Sequence, residues 1–166
     1  MEPRAVLQDL YGRIPHAVEG AVAGLSADDL VWAPSAGANT IGWLVWHLAR
    51  VEDHHGAELL GQPQQWAGWA ERFGLEPDPE DNGYGHSAEQ VAAVRPPSAA
   101  LLLEYHAAVH QPLVDFLDDL GSDDLERVVD ERWDPPVTMA VRLVSVAEDA
   151  LQHAGQAAYM RGHLGR

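Results

Sequence analysis

Apolar residues recur at helical spacing in four long stretches of the chain. In residues 3–25 the stripe runs through Val6, Leu10, Ile14, Val18 and Val22, with Pro3 tolerable in a first turn. Residues 39–60 carry Ile41, Leu44, Leu48 and Val51 on one side, and Asn39 is a good N-cap for them. Residues 98–120 carry Leu102, Leu103, Val109, Leu113, Phe116 and Leu117. Pro112 removes a backbone bond to Ala108 in that stretch, so a kink is expected. The last stretch, residues 138–163, starts after Pro135 and Pro136. Between the second and third stretches lies a long connection, residues 61–97. Within it, Ser87 and Gln90 have capping-box spacing, which predicts a short helix to about Val94.

No stretch alternates apolar and polar residues at strand spacing. The pattern therefore predicts an all-α, four-helix bundle with a long connection between helices two and three, in one domain over residues 1–166. The segments before helices two and four also resemble each other weakly. Each has a Ser, an Asp-Asp-Leu, then a Trp, a Pro and a helix-starting Asn or Thr, which is also common helix-start chemistry. If the repeat is real, helices two and four are equivalent, face each other and can bring ligands to one centre.

Composition narrows the function. The formal net charge is −16 and all ten basic residues are Arg, scattered along the chain. Binding a polyanion depends on clustered Lys and Arg, so nucleic acid is a poor partner. No apolar run approaches the ~18–20 residues of a membrane span, and the first twenty residues lack the apolar core of a signal peptide. The absence of Cys excludes disulfides, thiolate ligands and a Cys nucleophile, and fits the cytoplasm. Trp32, Trp66, Trp69 and Trp133 fall at or near loops, and that aromatic surface points to a homodimer.

Nine His in so acidic a chain are the unusual feature. Asp149 and His153 are four residues apart and project from one face of helix four, so they can offer two ligands to one ion. Arg142, Ser145 and Gln156 share that stripe. His47, one turn from Trp43 on helix two, is either a core-edge His or a third ligand. His54 and His55 lie about 10–12 Å further along the helix, too far to share its ion. His106 and His110 have ligand spacing too, but their wheel position coincides with Leu103, Leu113 and Leu117, which favours core packing or substrate contact over a metal pair. Patterns for a nucleophile elbow, a phosphate loop, a dinucleotide fold or H-E-x-x-H are absent. The stretch Asn82-Gly-Tyr-Gly85 lacks the strand-to-helix context of a phosphate loop.

Two stretches carry a family resemblance. IGWLVWHLARVEDHH in helix two resembles the first-His helix of the DinB-like superfamily, and VRLVSVAEDALQHAGQAAYMRGHL resembles its closing helix. The resemblance implies a divalent metal held inside the bundle by His47, Asp149 and His153, with Zn²⁺ the first candidate and Ni²⁺ the second. An acid at position 149, where many members have His, resembles the branch of mycothiol-dependent maleylpyruvate isomerase, although Asp is a carbon shorter than the Glu expected there. The implied activity is metal-dependent S-transfer, with mycothiol or another low-molecular-weight thiol as cosubstrate and a small electrophile as acceptor. Asp149 and His153 would then be catalytic, while Trp43, Gln156 and Arg142 would wall the site or orient the thiol. A hydrolase using metal-bound water, or a non-enzymatic metal-binding bundle, remain the other two readings.

Overall fold

The computed structural model describes residues 3–166. Four long helices form the bundle: α1 (Pro3–Val22), α3 (Ile41–Leu60), α6 (Ala99–Asp119) and α7 (Met139–His163). Three short helices sit in the connections: α2 (Ala27–Leu30), α4 (Ala70–Phe73) and α5 (Ala88–Ala93). The helices pack as a ring in which α3 touches both α6 and α7, and α1 touches the same two from the other side. Helices α3 and α7 are thus direct neighbours, as a shared centre between them requires.

The helix starts are chemically explicit. Thr40, Ser98 and Thr138 each accept a hydrogen bond from the backbone N–H three residues on, in α3, α6 and α7 respectively. Thr40 therefore takes the capping position expected of Asn39, one residue later. At the other end of α3, Gly61 adopts φ 63°, and Gln62 N–H donates to the carbonyl of Ala57. The expected short helix is α5, with a full capping box between Ser87 and Gln90. Helix α6 runs through Pro112 without a break.

Three features depart from expectation. In α1 the buried residues are Leu7, Tyr11, Ile14, Val18, Ala21 and Val22, while Val6 is half exposed. Repeated i, i+4 steps advance about 40° each and wind off the core; mixed three- and four-residue steps stay on it. The segment also stops at Val22, and Ser26 caps a separate turn, α2, through a box with Asp29. A two-stranded antiparallel ribbon, β1 (Val128–Asp130) with β2 (Val137–Thr138), leads into α7. Its strands are too short for an alternating pattern to show.

The first half of α3 is buried on every side, from Ile41 to Arg50. A surface helix should keep one polar face, so something must cover the outer face of α3. That cover is the connection 61–97. Trp66, expected at the surface, is 1% exposed and packs edge-on against Trp46. Trp32 and Trp69 are partly buried against the core. Of the four Trp that pointed to a homodimer, only Trp133 remains largely exposed, so that aromatic surface largely disappears.

Candidate metal centre

His47 on α3 and Asp149 and His153 on α7 converge, with one ligand atom from each lying within 4.8 Å of the others. His47 Nε2 is 3.8 Å from Asp149 Oδ1, and His153 Nε2 is 3.5 Å from the same oxygen. The small residues of α7 make this approach feasible. Ala147, Ala150, Ala154 and Ala157 are buried and let its backbone lie close to its neighbours, while Asp149 and His153 stand at the border of that face.

Each imidazole is fixed so that Nε2 faces the cluster. His47 Nδ1 lies 2.5 Å from the carbonyl oxygen of Asn82, so Nδ1 carries the proton and donates it. His153 Nδ1 likewise donates to Gln156 Oε1 at 2.8 Å. Gln156 thus holds His153 from behind. Burial lowers the pKa of His47, outweighing the bond to Asn82 and the charge of Asp149. Burial pulls His153 down as well, but its bonds to Asp149 and Gln156 outweigh burial and leave its pKa raised. Asp149 Oδ2 is buried without any hydrogen-bond partner. Such an orphaned carboxylate oxygen is costly unless a cation completes it. Two imidazoles presenting Nε2 beside an incompletely paired carboxylate are a suitable donor set for a divalent transition metal.

Trp43 stacks on His47 with ring centroids 4.7 Å apart and stands edge-on to His153 at 6.3 Å. Its indole N–H donates to His86 Nδ1, and His86 Nε2 then donates to Asp81. Beside the cluster opens a cleft of ≈ 420 Å³ lined by His47, Val51, His55, Tyr84, Trp133 and Asp149 among others. Arg142 sits in an adjoining depression, ion-paired to Asp130 at 2.8 Å and 3.4 Å from His55 Nε2. His54 and His55 group with Glu58, apart from His47, as their distance along α3 requires. His106 and His110 point into the core, where they meet Glu52.

Sequence reasoning missed the loop that covers the centre. Asn82, Gly83 and Tyr84 belong to the stretch set aside as lacking phosphate-loop context; Asn82 and Gly83 close over His47, and the adjoining His86 closes over Trp43 and Trp46. Gly83 has φ +92°, and a Cβ there would lie 2.8 Å from His47 Nδ1 and 2.9 Å from the Trp46 ring. The crowding of Asn, Gly and turn residues was the available signal, but it carried no address. Gly83→Ala should therefore push the loop off His47. We expect a stability loss of about 1–3 kcal/mol from the backbone alone, and at least a ~10-fold weaker affinity for Zn²⁺. Thermal denaturation and metal titration check this; an unchanged affinity would show that the loop does not hold His47.

The family model described as mycothiol-S-transferase matches residues 6–165, nearly the whole chain. The chain belongs to the mycothiol-S-transferase family. This family is DinB-like, in keeping with the bundle and with the two stretches that carry the resemblance. Among solved structures, the chain is similar to a conserved protein from Enterococcus faecalis. The two share 31% identity and a TM-score of 0.87 over 97% of this chain and 96% of that one. No curated protein matches. Among the described residues, no helix is long and apolar enough to cross a membrane.

Proposed function

We propose that this mycothiol-S-transferase family member joins a low-molecular-weight thiol, mycothiol first among candidates, to a small electrophile. The divalent ion it needs would be held by His47, Asp149 and His153. The observation that carries this reading is the convergence of those three side chains, two of which, His47 and Asp149, line an open cleft. Three protein ligands beside an open cleft leave a coordination position that a substrate atom can reach. When bound, the ion lowers the pKa of a coordinating thiol, so that thiolate is available at neutral pH.

The chain's own residues do the rest. Asn82 and Gln156 hold the two imidazoles in the ligating tautomer. Asp149 offsets part of the positive charge, which keeps the sulfur nucleophilic. Trp43 closes the side of the centre against His47 and His153, excluding water there. Val51 and Val146 give the cleft apolar wall for the electrophile, and Ser145, Glu148 and His55 line it with polar groups. In the transfer a sulfur–carbon bond forms as the bond to the leaving group breaks. The leaving group takes the bonding pair, and the thiol proton passes to bulk water. The protein has no Cys, so the sulfur comes with the cosubstrate. A reduced thiol persists in the cytoplasm, where we place the reaction.

The experiment compares mycothiol, bacillithiol, glutathione and no thiol against a panel of reactive electrophiles, with metal-stripped protein as control. Turnover should require both ion and thiol and fall at least ~100-fold in His153→Ala. Turnover without thiol would replace this reading with a metal-dependent hydrolase. Silence with every thiol, despite a bound ion, would leave a metal-binding bundle without this activity.

A further inference from the structure

A second buried cluster of titratable side chains lies outside the cleft. Glu52 on α3 and His106 and His110 on α6 are 0%, 3% and 4% exposed. Glu52 follows His47 by five residues, which places it about 7.5 Å along α3 and about 140° around it. The two clusters therefore occupy opposite flanks of one helix, one toward α7 and the other toward α6.

Glu52 Oε2 is 2.9 Å from His110 Nδ1 and 3.6 Å from His106 Nε2. Glu52 Oε2 thus has one imidazole nitrogen at hydrogen-bond distance and a second just beyond it, with the carboxylate fully out of solvent. A buried carboxylate must meet a cation. The nearest guanidinium on its helix, Arg50, is engaged with Asp53, Gln64, Tyr105 and loop carbonyls. The cation is then either a proton on an imidazole or a metal ion.

The unpartnered atoms decide between them. Glu52 Oε1, His106 Nε2 and His110 Nε2 are all buried without a hydrogen-bond partner. A proton between His110 and Glu52 serves one contact and leaves His106 Nε2 orphaned at about 1–3 kcal/mol, whereas an ion on Glu52 Oε2, His110 Nδ1 and His106 Nε2 partners it. Tyr11 stacks on His110 at 5.9 Å between centroids, but its hydroxyl is committed to the carbonyl of Leu143. Two His and one Glu are a zinc donor set, and tetrahedral bonds of about 2.0–2.1 Å place neighbouring ligand atoms about 3.3 Å apart. The observed 2.9 and 3.6 Å bracket that separation. A cavity of ≈ 20 Å³ bordered by Glu52, Gly56, Val109 and Pro112, and by neither imidazole, has room for about one water on the Glu52 side of the cluster.

The geometry points to a second, structural divalent-metal site, in which Glu52, His106 and His110 bind one ion and staple α3 to α6. Its burial marks it as a structural centre, separate from the cleft and independent of the thiol-transfer reading.

The test is metal stoichiometry of the full chain after Zn²⁺ loading and gel filtration, read by mass spectrometry of the metal. Wild type should retain about two ions per chain, His47→Ala about one, and Glu52→Gln about one. The ion kept by His47→Ala should survive His54→Ala/His55→Ala substitution, which removes the exposed His pair. Stripping it should lower Tm, and Co²⁺ in its place should give the intense visible absorption of a tetrahedral site. An ion-free His47→Ala protein overturns the proposal, as does an ion lost with His54 and His55. A single ion that disappears with Glu52→Gln but survives His47→Ala would support the proposal while removing the cleft centre. Should Glu52→Gln fail to fold, His47→Ala and its surface-His control decide by themselves.

Discussion

Replacing His47 with alanine should strip the ion from the cleft centre, weakening affinity there by well over 100-fold while helicity stays nearly intact. Changes to residues that only orient a ligand already cost about 10–100-fold, and His47 is itself one of the three proposed ligands. The fold should survive because the ring is one side chain in a core spread over four helices, and its loss costs about 1–3 kcal/mol. Metal analysis should show one ion fewer per chain, with the far-UV spectrum unchanged. The pH dependence of the wild type adds a second check. A protonated imidazole cannot ligate, so proton and metal compete. The raised pKa of His153 moves that competition to higher pH, whereas the lowered pKa of His47 keeps that ring neutral into more acid solution. As pH falls, binding should therefore weaken first where His153 takes its proton, above the ordinary imidazole value. Affinity held constant through the whole imidazole range, or an ion retained by His47→Ala in the cleft, would remove His47 and His153 as ligands.

How much of this was legible in the chain depended on whether a feature was local. Capping and period are local, so α3, α5, α6 and α7 were readable to within a residue or two at their starts. The alignment of Asp149 with His153 is a property of one helix, and it was readable too. Bringing His47 to them needed the order of helices around the ring, which rested on the resemblance and the weak repeat. The structure bears on the repeat: Ser26 and Ser122 each open a turn, and Thr40 and Thr138 each cap the helix that follows. Long-range pairings were not readable. Glu52 is one of three acids on α3 and nothing local singles it out, since its partners lie 54 and 58 positions away on α6. Likewise, Arg142 shares a stripe with Asp149, but its partner Asp130 comes from the ribbon before α7. A helical wheel cannot show a strand that lies beside the helix.

The connection over α3 is where sequence reading failed most, and one residue there explains why. Arg50 is fully buried. Its guanidinium pairs with Asp53 at 3.2 Å and donates to Gln64 at 3.0 Å and to the carbonyls of Asp81 and Pro79 at 3.0 and 3.1 Å. It also lies over the ring of Trp66 at 4.9 Å. Asp53 in turn accepts from the backbone N–H of Gln65 and Trp66 and from the hydroxyl of Tyr105. One buried ion pair thus ties two stretches of the loop, 64–66 and 79–81, to α3, and a charged pair in a helix reads as surface until the loop is seen. Arg50→Ala should be the most destabilising single change in the chain. It leaves the Asp53 carboxylate buried without its cation, a loss of about 3–5 kcal/mol. For a chain of this size that corresponds to a fall in Tm of roughly 10–15 °C. Arg50→Lys should recover only part of this, because an ammonium cannot meet acceptors spread across a planar fork. The effect should also reach the metal. The Asp81 carbonyl held by Arg50 adjoins Asn82, whose carbonyl fixes the His47 tautomer, so Zn²⁺ affinity in the cleft should fall by about 10–100-fold in Arg50→Ala. Thermal denaturation and metal titration on the same preparations separate the two consequences. A shift of under about 2 °C would mean that the ion pair is not what seats the loop. A large shift with unchanged metal affinity would mean that His47 keeps its orientation without Asn82.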